Sequence, residues 1–407
     1  MKISRIIFCL LILTLVSLSS CNTKSDSERF VIDFDAKPED ELSLKFEDLV
    51  EKINIVKLET RDDLILSEYV RIELTDDYII TIGDDRIDQF DNKGNHIRML
   101  TTKGRGPNEF VAITHLIDQK RDRLYLISYT GENKIMRIDL STGDFLDNLK
   151  SEIPIWGKVL DDNGNIVGVS VSSRYSSQTL QQGDGTNAKI YLVDSENGTI
   201  KDIVVGGINI RNIIPDIIRD KKNMYYYDCI ASDTLLVFDE NGARPEMVFK
   251  ISKKSESSIG EGVNISLLGK YGDNFILVKA LNKVTTMTVG GEQYTMFATA
   301  SQDYFYLDKN RELYSLMSFV IGRFNITLSM ALFTEKLFNE GEITPYPLPT
   351  SSGDYLYYCL NAPNAIMLLE RALEDETTTD KQRKEINALL SQIDEEDNHI
   401  IIYGKRK

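Results

Sequence analysis

The strongest constraint on this chain is a unit that recurs along it: a short apolar strand, an aspartate, and a turn that in most copies closes on glycine. The copies turn at Asp91 to Gly94, Asp139 to Gly143, Asp194 to Gly198 and Asp239 to Gly242, with a degraded fifth at Asp308 to Glu312. The carboxylate can accept hydrogen bonds from turn backbone, and glycine takes the positive φ such turns need. Successive aspartates lie 48, 55, 45 and 69 residues apart. A period of about 45–50 residues, with room for four strands in each unit, is the spacing of propeller blades. Within one unit, Tyr78–Ile82, Arg86–Phe90 and Asn95–Leu100 read as an antiparallel meander. The long last interval places extra length around Lys283 to Phe297, in a hairpin that turns at Gly290-Gly291.

A ring of blades must join its ends. Lys52–Glu59 is a strand near the start and Asn398–Tyr403 a strand at the very end. Pairing them in one shared blade would shut the ring and remove exposed edges. Five repeats plus this shared blade give six. The fold class is therefore all-β: a six-bladed β-propeller closed by N- and C-terminal strands, with a helical hairpin insertion near the C-terminus. The insertion spans residues 363–397, where Ile366, Leu369 and Leu373, then Ile386, Leu389, Leu390 and Ile393, recur at helical spacing. Thr377-Thr378-Thr379-Asp380 separates the two helices and caps the second. Such a hairpin either covers one face of the ring or docks a partner.

The N-terminus places the protein. Lys2 and Arg5 precede an apolar run from Ile6 to Val16, and Leu18-Ser19-Ser20-Cys21 closes it. This is a secretory signal over residues 1–20, ending in a lipobox, with Cys21 as the lipidated first residue of the mature chain. The apolar run is short for a transmembrane helix; an uncleaved anchor with an incidental cysteine is the alternative. Residues 21–45 then read as a tether carrying the lipid, palmitate included, and 46–407 as the propeller. The expected location is the outer membrane, facing the periplasm or the surface, with the membrane itself as one partner through Cys21.

The net charge of −16 over 407 residues, without a dense basic block before Lys405, argues against nucleic acid. Cys229 and Cys359 are the two cysteines left in the body of the chain; two single buried thiols are expected rather than a bridge.

One segment is specific. Phe90, Asp91, Gly94, Gly104, Gly106, Pro107, Glu109 and Phe110 fall in the order FD-x-x-G … G-x-GP-x-E-[FY]. In this the chain resembles the bacterial six-bladed β-propeller lipoprotein family, whose first blade ends in that pattern. Val56–Thr60 and the acidic Glu395–Asn398 are similar to the same family. His399 departs from it, since proline is common there. The resemblance implies a fold over nearly all of the mature chain. It implies no particular activity.

Gly104-Arg105-Gly106-Pro107 has the look of an anion-cradling loop, but no helix follows to complete a phosphate site, so a tight interblade connection is the plainer reading. Arg105 and Glu109 remain the candidate ligand-binding residues, should that loop reach the mouth of the ring. Asp161-Asp162-Asn163-Gly164-Asn165 departs from a calcium loop and reads as a hairpin turn. His96, His115 and His399 are too scattered for a zinc motif, so no metal site or cofactor is assigned, and no catalytic residue. Tyr225–Tyr227 and Tyr355, Tyr357 and Tyr358 could stack on sugar, but blade faces bury aromatics routinely. Two functions follow. The first is a non-catalytic binding module for a glycan, a peptide or an envelope partner protein. The second, by analogy of fold, is a metal-dependent hydrolase or lactonase with a single ion in the channel. Convergence of three or more Asp, Glu, Asn or His side chains in the channel would separate them.

Overall fold

The computed structural model describes residues 30–407 except 37, 112, 129–132, 154, 171–186, 210–215, 220–223, 228–232, 240–241, 253–260, 290–291 and 331–343. The segment read above as a signal, Cys21 and Cys229 thus lie outside the described residues.

Three short strands come first: β1 (Val31–Asp33), β2 (Glu41–Lys45) and, after the one-turn helix α1 (Phe46–Leu49), β3 (Asn54–Lys57). Blade 1 is β4 (Arg71–Leu74), β5 (Tyr78–Ile82), β6 (Arg86–Asp91) and β7 (His96–Thr102). Blade 2 is β8 (Ile113–Asp118), β9 (Arg123–Ser128), β10 (Lys134–Asp139) and β11 (Leu149–Lys150). Blade 3 is β12 (Trp156–Leu160), β13 (Ile166–Ser170), β14 (Asn187–Val193) and β15 (Ile200–Asn209). Blade 4 is β16 (Asp216–Arg219), β17 (Met224–Tyr227), β18 (Thr234–Asp239) and β19 (Gly242–Lys250). Blade 5 is β20 (Gly262–Tyr271), β21 (Asn274–Val289), β22 (Glu292–Leu307) and β23 (Leu313–Ile321), with β24 (Ile326–Ser329) folded back on β23. Blade 6 is β25 (Leu348–Pro349), β26 (Tyr355–Leu360) and β27 (Ile400–Lys405), with β3 as its outermost strand.

The fold is the six-bladed propeller expected, and the closure is the one the sequence called for. Ile400 pairs with Lys57 and Tyr403 with Asn54, antiparallel. The five aspartates mark the turn between the third and fourth strands of blades 1 to 5. Asp91 Oδ1 accepts from the Lys93 and Asn95 amides, Asp139 Oδ1 from Ser141 and Thr142, and Asp194 Oδ1 from Glu196 and Asn197. Blade 6 has no such turn because its third and fourth strands, β27 and β3, are not consecutive in the chain.

Among the described residues, six apolar clusters fill the six gaps between neighbouring blades. Ile79 faces blade 6 and the adjacent Ile80 faces blade 2, so alternate side chains of one strand feed two clusters. Both faces of a blade are therefore buried, which explains unbroken apolar runs such as Leu124 to Ile127. Tyr355, Tyr357 and Tyr358 belong to this packing, all nearly inaccessible. Tyr225–Tyr227 lie on β17, and their side chains fall outside what is described. The long interval in blade 5 is a β21–β22 hairpin paired from Phe275–Leu307 out to Val289–Glu292, beyond the reach of β20, which ends its pairing at Asn282.

The packed domain begins earlier than residue 46. β1 runs parallel to β19 on the outside of blade 4, and β2 parallel to β23 on blade 5. Phe34 is buried edge-on against Phe249 and Phe305, and Lys279 Nζ donates to its carbonyl at 2.7 Å. Residues 31–45, assigned from sequence to the tether, instead form a strap laid over the outer strands of blades 4 and 5.

The helical hairpin sits where expected, between β26 and β27, as α2 (Ala362–Glu374) and α3 (Asp380–Leu390). Asn361 caps α2, and Thr379 caps α3 in a reciprocal box with Gln382. Ala365, Leu368, Leu369 and Ile386 pack against Phe324, Ile326 and Leu328 of blade 5 and Leu360 and Ile400 of blade 6. Gln382 Nε2 donates to the Gly322 carbonyl at 2.6 Å, and Arg323 pairs with Glu385 at 2.9 Å. Among the described residues no helix is long and apolar enough to cross a membrane.

Candidate functional site

One face of the ring carries the turns between first and second and between third and fourth strands. The opposite face carries the turns between second and third strands, the interblade connections and the helical hairpin. On that second face, at the mouth of the channel, lies a cavity of about 800 Å³ walled by blades 1, 2 and 6. It opens inward onto a cavity of about 470 Å³ in the channel itself, lined by the inner strands of all six blades. Arg71, His115 and Leu348 line both. Binding sites concentrate on such loop-built concavities held by a rigid scaffold.

The approach to blade 1 supplies Glu68, Tyr69 and Val70, and β4 supplies Arg71. Tyr69 and Val111 stay 56% and 49% exposed, so each presents apolar surface to an incoming group. His115, on β8, places Nε2 3.1 Å from Glu73 Oε1. Glu73 is buried, and its two oxygens also accept from the Ser351 amide at 3.0 and 3.1 Å. The carboxylate fixes the imidazole ring, and the bond to it uses the Nε2 proton when His115 is neutral. Cys359, in the cavity wall, is a free thiol rather than half of a bridge. Its desolvation holds it well above the ordinary thiol range, so it rests as the unreactive thiol at neutral pH.

His399 closes the wall beside blade 6. Its Nε2 lies 3.1 Å from the Glu68 carbonyl oxygen, and its buried Nδ1 has no hydrogen-bond partner among the described residues. Burial pushes its pKa below the ordinary 6.5. The folded state thus disfavours the proton that the unfolded chain accepts below about 6.5. Stability from His399 is fully present above that value and is lost as pH falls toward the lowered folded value, with a slope of at most one proton. Thermal melts at pH 7.5, 6.5 and 5.5 are expected to show a shallower acid decline for His399→Gln than for wild type. Parallel declines would refute this role.

The loop of the family pattern is the connection from blade 1 to blade 2. Lys103 and Phe110, at its two ends, line the cavity. Glu109 turns inward to its own loop: Oε2 accepts from the Gly106 amide at 2.7 Å, and a Cβ at Gly104 would collide with that carboxylate. Glu109 therefore explains the two glycines. Arg105 is exposed at the tip and lines neither cavity. Asp161 to Asn165 form the β12–β13 turn, with Asp161 Oδ1 accepting from the Asn163 and Asn165 amides. Among the described residues, no three His, Cys, Asp or Glu side chains gather where they could hold a metal ion.

Residues 29–405 match the model of a family described as "Domain of unknown function (DUF4934)". A solved structure described as an exported protein of Bacteroides fragilis aligns with 14% identity over 90% of this chain and 100% of that one, at a TM-score of 0.55. The WD40 repeats of RRP9 align with 11% identity over 86% and 97% of the two chains, at 0.40. Hydrazine synthase of Kuenenia stuttgartiensis aligns with 12% identity over 79% and 82%, at 0.39. At these identities the likeness concerns the fold alone. No curated protein matches.

Proposed function

We propose, for a chain that belongs to the DUF4934 family, a lipid-anchored propeller of the cell envelope that binds a glycan, a peptide or a partner protein without transforming it. The observation that carries this reading is the cavity of about 800 Å³ at the channel mouth, where exposed Tyr69 and Val111 adjoin Arg71 and Lys103. Such a mixture of apolar surface and a few polar groups is what binding pockets present. The hydrolase reading has no comparable observation in its favour: among the described residues no three His, Cys, Asp or Glu side chains gather as metal ligands.

The lipobox at Leu18–Cys21 supports export and anchoring, with Cys21 as the acylated residue and the outer membrane as the destination. Cys21→Ser is expected to move the protein from the membrane fraction to the soluble fraction and to abolish labelling by a palmitate analogue. Unchanged fractionation would sink the anchor. For the binding reading, the purified mature protein is screened by thermal melting against glycans and peptides. A saturable rise in Tm that Tyr69→Ala removes is the expected result. A rise with calcium that EDTA reverses, together with lactone turnover, would favour the hydrolase instead.

A further inference from the structure

We infer that the ligand of the mouth cavity carries an acidic group and that Arg71 receives it. This rests on the binding reading above and narrows it to anionic ligands.

The chain carries 63 acidic side chains against 47 Lys and Arg, yet its channel runs the other way. Arg71, Lys158, Arg219 and Arg406 come to the channel cavity from blades 1, 3, 4 and 6, against one carboxylate, Glu73. Glu73 is already committed to His115 and the Ser351 amide. Asp162 pairs with Arg219 but sits out on an exposed turn. A concavity of one sign with apolar blade walls focuses potential, so the channel attracts anions even though the protein as a whole repels them.

Arg71 is placed to collect that attraction. It lies where the mouth cavity meets the channel, its side chain is exposed, and among the described residues no hydrogen bond or ion pair engages it. Most arginines on the blade rims are occupied: Arg86 by Asp88, Arg121 by Asp118, Arg123 by Glu196. Lys103 is a second cation on the mouth wall with no such partner among the described residues. The acids of the mouth, Glu68 and Asp84, stand on connecting segments at the rim, so an acidic group is favoured at the inner end and disfavoured at the entrance. A guanidinium offers a planar pair of donors that fits a carboxylate or another oxoanion. Tyr69 offers a face on which a sugar ring could stack beside it.

The test is calorimetric titration of the full mature protein with di- and tri-galacturonate, the matching neutral galactose oligomers, inorganic phosphate and sulfate, at low and at raised sodium chloride. Galacturonate oligomers are expected to bind, the neutral oligomers to bind at least tenfold more weakly, and added salt to weaken only the acidic ligands. Arg71→Gln should cost at least tenfold in Kd with an unchanged melting temperature, and Arg71→Lys should recover part of it. Phosphate and sulfate binding at the same site would mark a general oxoanion pocket; their failure beside galacturonate would mark a carboxylate pocket. Equal binding of neutral and acidic oligomers, or indifference to Arg71→Gln, would overturn the inference and leave the binding reading standing. No binding by any probe, with none in the wider glycan and peptide screen, would overturn both.

Discussion

Asn398→Ala is expected to destabilise the fold by about 3 kcal/mol or more, read as a shift in the urea midpoint. Asn398 immediately precedes the closing strand and is 5% exposed. Its Oδ1 accepts from the Leu66 amide at 2.9 Å, while Nδ2 donates to the carbonyls of Glu59 at 2.7 Å and Leu64 at 2.6 Å. One side chain thus satisfies three backbone groups of the segment that carries the chain from blade 6 to blade 1. Alanine would strand all three in a poorly solvated place, and each such loss costs about 1 kcal/mol or more. Asn398→Asp sharpens the test. It retains an acceptor for Leu66 but sets a second oxygen against two carbonyls, so a loss at least as large is expected. A change below about 1 kcal/mol for both variants would mean that water replaces the amide without penalty.

Gly94→Ala is expected to act at the same seam from the other side. Gly94 closes the first of the repeated turns with φ near +90°, and its carbonyl accepts from the Glu59 amide at 2.8 Å. A Cβ there would collide with the Lys57 carbonyl oxygen and lie 2.7 Å from Val56 Cγ1, both on β3. The positive φ alone costs an L-residue about 1–2 kcal/mol. The collision adds the displacement of the closing strand, so the total should exceed about 3 kcal/mol. Gly272 supplies the control. Its φ is +61°, but a Cβ there meets nothing within 4 Å. Gly272→Ala should therefore show the conformational cost alone, and the difference between the two variants measures the crowding at the seam. Equal losses would show that backbone conformation, not the approach of β3, decides both.

Much of the ring could be read in the residues because blade geometry repeats a chemical demand. Each third strand must end in a tight reversal, and Asp91, Asp139, Asp194 and Asp308 answer it by accepting from turn amides two to four residues further on. The strap was harder to read. Ile32 and Phe34 alternate inward, as do Leu42 and Leu44, but runs this short look like a linker until a sheet edge stands beside them. Their pairing is made by main-chain groups, which every sequence possesses. The cavity left still less trace. Tyr69, Arg71, Lys103, His115 and His399 come from four separate stretches and form no local motif; only closure of the ring gathers them. The glycine-rich loop drew attention to Arg105 and Glu109, while its glycines serve the packing of Glu109 against its own backbone.

The strap has a consequence for the order of assembly. Asp33 meets Lys250 across 217 residues, Ser43 meets Ser318 across 275, and Lys57 meets Asp397 across 340. A chain delivered N-terminus first, by a ribosome or through an export channel, therefore presents its earliest strands long before their partners exist. Such remote pairings slow folding. Blades 1 to 3 can form from local meanders while β1, β2 and β3 wait unpaired for β19, β23 and β27, open to wrong partners. The arrival of β27 beside β3 ends this vulnerable interval.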